Sequence, residues 1–169
     1  MLCSSVPGIA LIVILMGVVG AGKTTVGQLL AAKLHWRFAD ADDFHPATNI
    51  EKIGRGIPLT DQDRAPWLSA LRAAIEKWNS DDANLVLACS ALKKQYRDEL
   101  RAGAVQYVYL KGGYELILGR LRSRQGHFAS ESILASQFAD LEEPQDAITV
   151  DIGQTPGAIV AEIVAKLTP

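Results

Sequence analysis

The chain has 169 residues, about one ordinary domain, since domains most often run ~100–150 residues. Hydrophobic residues make up 49% and charged residues 21%, which supplies a core and excludes a disordered tail, a collagen-like fibre and a coiled coil. With 17 Lys and Arg against 19 Asp and Glu the formal charge is −2, so no basic excess points to nucleic acid or an anionic membrane, and any bound anion must be held by a local site.

The first element is an apolar run, Ile9–Val19 (IALIVILMGVV). Nothing basic precedes it, GAGKTT follows where a secretory signal would need small residues, and it falls short of the ~20 residues that cross a bilayer. Its first part, Ile9–Met16, reads as a buried strand. Val26, Leu29, Leu30 and Leu34 then make a helical stripe. A second strand is expected at Arg37–Ala41, followed by a polar, turn-rich stretch from Asp43 to Arg64. Pro66 suits the first turn of a helix whose core stripe is Trp67, Leu68, Leu71, Ile75 and Trp78. Strands at Leu85–Cys89 and Val105–Leu110 follow, then a helix carrying Leu116, Ile117 and Leu121. An arginine-rich stretch spans Arg120–Phe138. A last strand, Ala147–Ile152, precedes a helix with Ile159, Val160, Ile163, Val164 and Leu167, near Pro156.

Strand and helix alternate from end to end, and buried parallel strands read as unbroken apolar runs. The expectation is an α/β fold: a doubly wound, mainly parallel five-stranded sheet with helices on both faces, forming a single domain over 1–169. Residues 1–8 make an extension. In such sheets ligands lie beyond the C-terminal strand ends, so the stretches at about 43–66 and 120–138 are expected to cover substrate and form a lid. Cys3 and Cys89 show neither disulfide nor zinc spacing, which fits a reduced, cytoplasmic setting. Cys89 reads as a small buried hydrophobe.

Gly17-Val18-Val19-Gly20-Ala21-Gly22-Lys23-Thr24 is a full GxxxxGK[ST] string between a strand and an amphipathic helix. Glycines let the backbone curl so that successive N–H groups, through Thr25, converge on phosphate oxygens at the positive end of a helix. Lys23 reaches the β- and γ-phosphates, and the Thr24 hydroxyl can ligate Mg²⁺. This is a nucleotide-triphosphate site. Neither NKxD nor DxxG occurs, which argues against a GTPase switch, and Leu85–Ser90 ends without the carboxylate of motor-type ATPases. Small-molecule kinases place acidic residues after the second strand, where Asp40-Ala41-Asp42-Asp43 stands. Alternation along a strand would point Asp40 and Asp42 to one side. One could hold Mg²⁺ through water while the other orients and deprotonates an acceptor hydroxyl; Asp43 reads as a solvated turn residue.

At these residues the chain resembles the gluconokinases (thermoresistant type) of the shikimate-kinase-like P-loop kinases. The likeness runs through His45-Pro46 with Asn49-Ile50, Pro58-Leu59-Thr60-Asp61-Gln62-Asp63-Arg64-Ala65-Pro66-Trp67-Leu68, Cys89-Ser90-Ala91-Leu92-Lys93, Tyr96-Arg97, Gly126-His127-Phe128, Ser136-Gln137-Phe138 and Val150-Asp151-Ile152. Val19, Ala21 and Ala41 depart from it, standing where serines and a glycine are common. The resemblance implies ATP-dependent phosphorylation of D-gluconate at its 6-hydroxyl, with ATP and Mg²⁺ as cofactors, no nucleic-acid or membrane partner, and a homodimer.

An acidic polyol needs a cation for its carboxylate and donors and acceptors for its hydroxyls. Arg64 and Arg97 are the expected forks, and Asp42, His45, Lys93 and Gln137 the hydroxyl partners. Arg64 has a rival reading as an ion pair with Asp61 or Asp63, His45 as a turn cap, and Gln137 as a core-edge hydrogen bond. By resemblance Arg120 stacks on adenine, Arg124 reaches the transferring phosphoryl and Arg122 is the spare. The catalytic set expected is Lys23, Asp42 and Arg124, with Thr24 and Asp40 at the metal. Other small-molecule kinases, for shikimate, adenylylsulfate or a nucleoside monophosphate, and a non-catalytic nucleotide-binding protein are the competing readings.

Overall fold

The computed structural model describes residues 10–124 and 128–167. The extension at 1–8, Cys3, and Gly126 with His127 lie outside the described residues. Five strands, β1 (Ile12–Met16), β2 (Arg37–Asp40), β3 (Leu85–Ala88), β4 (Val105–Lys111) and β5 (Ile148–Asp151), form one sheet in the order β2-β3-β1-β4-β5. All pairings are parallel, with Ile12 opposite both Leu85 and Val105.

The parity of β1 separates two cores. Val13 and Leu15 face Val26 and Leu30 of α1 (Lys23–Leu34), together with Ile117 and Leu121 of α5 (Tyr114–Ser123) and Ile159 and Ile163 of α7 (Pro156–Leu167). Ile12, Ile14 and Met16 face the other way, onto Leu71 and Ile75 of α3 (Asp61–Ser80) and Leu100 of α4 (Lys94–Leu100). All five residues of β1 are 0% exposed. Alternate side chains on a strand point to opposite faces, so a strand covered on both sides has to be apolar throughout. Burying each such side chain contributes about 1.5–3 kcal/mol, and β1 anchors the loop that follows it.

Several local expectations are corrected. The second strand stops at Asp40, and Ala41–Phe44 turn into a 3₁₀ helix because the Asp40 carboxylate accepts the Asp42 N–H at 2.9 Å. The polar stretch after it contains α2 (Ala47–Gly54). The long helix opens at Asp61, five residues before Pro66. Thr60 Oγ1 accepts the Asp63 N–H at 3.1 Å and Asp63 Oδ2 accepts the Thr60 N–H at 2.9 Å, a reciprocal cap that fixes the start. Pro66 then removes one bond, to the Gln62 carbonyl. Leu29 and Leu116 leave their stripes, at 45% and 42% exposure. The arginine-rich stretch holds the end of α5 and α6 (Phe128–Asp140). Among the described residues no helix is long and apolar enough to cross a membrane.

Candidate active site

The GxxxxGKT loop leaves β1 at the centre of the sheet. Gly17 N–H donates to Ser90 O (3.3 Å), which ties the loop to the end of β3, and Ala21 N–H donates to Val18 O (3.1 Å). Gly22 caps α1 with φ 94°, a left-handed conformation that an L side chain resists. Val18 and Ala21 are buried, at 2% and 1% exposure, so their side chains brace the loop from behind. Lys23 Nζ donates to the carbonyls of Gly17 (2.9 Å) and Val18 (3.0 Å). Desolvation lowers the Lys23 pKa, and the charge of Asp42 is the largest influence opposing that fall.

A cavity of about 250 Å³ opens over this loop. Val19, Gly20, Gly22, Lys23, Thr24 and Thr25 form one wall, and Cys89 and Ser90 lie at the end of β3. Asp40, Asp42, His45, Arg64 and Trp67 line it as well, together with Ile133, Ser136 and Gln137 of α6 and Arg124. Both Asp40 oxygens are engaged, Oδ2 by Thr24 Oγ1 (3.0 Å) and Oδ1 by the Asp42 N–H. The 3₁₀ turn, rather than strand alternation, brings Asp42 beside Asp40. Desolvation by the cavity walls, then the neighbouring Asp40, raise the Asp42 pKa above the ordinary carboxylate range, against Lys23.

His45 closes the 3₁₀ turn through its N–H to Asp42 O (3.2 Å), and its ring stacks on Trp67 with centroids 4.5 Å apart and planes 9° apart. Burial, with help from the Arg64 charge, lowers its pKa to about 4, so the ring is neutral near pH 7. Trp67 Nε1 in turn donates to Ala41 O at 2.8 Å. Arg64 pairs with neither Asp61 nor Asp63: its Nη1 donates to Tyr96 Oη (3.0 Å) and Asp140 Oδ2 (3.1 Å), and the residue lines the cavity. Gln137 Oε1 accepts the Val19 N–H at 2.6 Å, joining α6 to the loop. Burial drives the Cys89 thiol up to about 12, so it stays protonated and unreactive.

Thus Asp42, His45, Arg64 and Gln137 converge with Lys23, while two expected substrate partners do not. Arg97, 4% exposed, donates Nη1 to the carbonyls of Ala91 and Leu92 (both 2.9 Å) and Nη2 to that of Glu142 (2.8 Å). Its fork is filled by backbone, not held open for a carboxylate. Lys93 pairs with Asp61 at 2.9 Å, away from the cavity lining. Arg120 Nη2 donates to Ile152 O at 2.6 Å, at the end of β5 and outside the cavity, whereas Arg124 lines it. Ser90, Ser136 and the place of Trp67 in the cavity lining escape a reading by residue type, although Ser90 stands in the Cys89–Lys93 string and Trp67 directly follows Pro66. No group of three or more His, Cys, Asp or Glu that could cage a metal occurs among the described residues. The oxygen pair Thr24–Asp40 nevertheless suits Mg²⁺, a hard cation that takes one or two protein oxygens and keeps water and phosphate for the rest.

The family model for shikimate kinase matches residues 19–168. The thermosensitive gluconokinase of Escherichia coli is 48% identical over 145 residues, covering 82% of this chain and 78% of that one. The crystal structure of a gluconokinase from Sinorhizobium meliloti superposes with a TM-score of 0.83 at 39% identity, covering 94% of this chain and 92% of that one. An unliganded sugar kinase from a Janibacter species gives a TM-score of 0.87 at 41% identity, with 94% of each chain covered.

Proposed function

The chain belongs to the gluconokinases of the shikimate kinase family, and from that membership and its cavity we propose that it transfers the γ-phosphoryl group of ATP to the 6-hydroxyl of D-gluconate, giving 6-phospho-D-gluconate and ADP. The observation that carries this is the meeting of Lys23 and Asp42 in one cavity, close enough that each charge moves the other's pKa.

Phosphoryl transfer needs position and charge neutralisation more than a strong base. The loop amides and Lys23 take the phosphates, and the lysine leaves the carbonyls of Gly17 and Val18 to do so. Thr24 and Asp40 would hold Mg²⁺, which would supply neutralisation of phosphate charge. Asp42, whose carboxylate accepts no hydrogen bond from the described residues, orients the acceptor hydroxyl and takes its proton late in the transfer; its raised pKa suits that role. Arg64 offers the gluconate carboxylate the donors that Asp140 and Tyr96 leave unused. Arg124, in the cavity lining, reaches the transferring phosphoryl, and Arg120, beside the end of β5, serves the adenine.

The test is coupled ADP release with gluconate, shikimate and AMP in parallel on the wild type and Asp42→Asn. Turnover on gluconate alone, reduced by about 10²–10⁴-fold in the variant while ATP still binds, is the expected result. Activity on shikimate or AMP but not gluconate, or full turnover by Asp42→Asn, rejects the reading.

A further inference from the structure

Asn49 is a polar side chain at 2% exposure inside α2, a helix otherwise marked by exposed Ile50 and Ile53. Its Nδ2 lies 2.8 Å from the Asp63 carbonyl and 3.2 Å from His45 Nδ1. A peptide carbonyl only accepts, so the side-chain amide must turn its NH₂ toward Asp63; the flipped amide would set two oxygens against each other. The same NH₂ then meets His45 Nδ1, which must be the bare nitrogen of the ring. A neutral imidazole carries its proton on the other nitrogen.

We infer that Asn49 is a positioning residue that fixes the tautomer of His45, so that the ring presents Nε2–H as a hydrogen-bond donor to an oxygen of the substrate. Trp67 sets the plane of the ring by stacking, and Asn49 sets which edge carries the proton. Two constraints from different helices leave the Nε2 edge for the cavity that His45 lines. Burial of the ring, and after it the Arg64 charge on α3, favour the neutral form; of the carboxylates nearby, Asp63 is occupied by Lys52 at 2.9 Å and by the Thr60 N–H, and Asp42 lines the same cavity. A ring held this way donates to hydroxyl or carboxylate oxygen and does not serve as a base. The identity of that oxygen as gluconate's rests on the function proposed above, whereas the tautomer does not.

Long-range ¹⁵N–¹H spectra of the full chain without ligand, with the His45 signal assigned by its loss in His45→Gln, read the tautomer directly. The expected wild-type pattern is a protonated Nε2 and a bare Nδ1 at pH 7. Asn49→Asp replaces the donor by an acceptor and should draw the proton to Nδ1, raising the KM for gluconate by about tenfold, the effect of one lost hydrogen bond, with the KM for ATP unchanged. His45→Gln, whose amide nitrogen can stand where Nε2 was, should retain more gluconate affinity than His45→Asn. A wild-type ring protonated on Nδ1 overturns the inference. So does an Asn49→Asp protein in which the proton moves and gluconate binding does not. A wild type inert to gluconate rejects the proposed function instead, and the spectra still judge the tautomer.

Discussion

Thr24 Oγ1 donates to Asp40 Oδ2 across 3.0 Å, which joins the first turn of α1 to the end of β2. Asp40 also holds the Asp42 N–H, so one carboxylate belongs to the proposed ion-binding pair and shapes the turn that presents the proposed base. Asp40→Asn separates these duties, since an amide oxygen can still accept the Asp42 N–H but brings no charge to a cation. The Mg²⁺ concentration for half-maximal rate should rise by about tenfold, a loss of ~1.4 kcal/mol, with the KM for gluconate little changed. Rate against Mg²⁺ at fixed ATP measures it; an unshifted curve takes Asp40 out of ion binding.

Protonation of His45 links stability to pH. Its pKa is about 4 in the folded protein, below the ordinary 6.5, so between those values the unfolded chain binds a proton that the folded chain refuses. The contribution of His45 is therefore complete above pH 6.5 and declines as pH falls toward 4. Asp42, with a raised pKa, pulls in the opposite sense, so the informative quantity is a difference between proteins. Urea midpoints at pH 7 and pH 5 should drop less in His45→Gln than in the wild type, and equal drops would show that folding leaves the imidazole's affinity for protons alone.

Arg97 clamps a strained turn. Ala91 has φ 45°, a left-handed conformation costing roughly 1–2 kcal/mol for an L residue, and the guanidinium holds its carbonyl together with those of Leu92 and Glu142. Arg97→Lys can satisfy only part of this set and should lose about 2–4 kcal/mol in urea unfolding. Because Ser90, next to Ala91, accepts the Gly17 N–H, phosphotransfer should fall with stability. Ala91→Gly should be neutral or stabilising by up to ~1 kcal/mol. An Arg97→Lys protein as stable as the wild type would refute the clamp.

Gly27 lets α1 approach the sheet closely. A Cβ there would stand 2.6 Å from the Phe38 ring and 3.4 Å from Leu15. Alanine gains ~1 kcal/mol in helix propensity, but overpacking a dense core costs about 1–3 kcal/mol. Gly27→Ala should lower the melting temperature by a few degrees. A rise would mean that Phe38 moves aside freely.

The strands and the GxxxxGKT loop were legible because each follows from a local pattern: a strand covered on both faces must be apolar at every position, and a phosphate loop needs its glycines, lysine and threonine in fixed register. The acidic pair was legible by residue type but not by geometry, since a side-chain bond from Asp40 to the Asp42 amide converts the strand end into a 3₁₀ turn. Pro66 misplaced the start of α3 because the Thr60–Asp63 cap overrides a proline that the helix interior tolerates. Arg97 could not be told from Arg64 in the string. One partner of its fork, Glu142, lies 45 residues away, and only folding shows that backbone fills the fork. Asn49 did leave a signal: it stands four residues after His45, one helical turn along.

Strand order has a consequence for how such an enzyme diversifies. With β1 in the middle, everything proposed to meet the acceptor apart from Gln137 comes from the β2–β3 flank and the helices that follow it, whereas Arg120 and the end of β5 lie on the opposite flank. The two flanks meet at the central loop, where Gln137 accepts the Val19 N–H, and at the pair Arg64–Asp140. Substitutions between Asp40 and Trp67 are therefore expected to retune which alcohol is accepted and to leave the Arg120 flank in place as long as the Arg64–Asp140 pair is kept, so specificity can drift on one side of the sheet while the other is inherited intact.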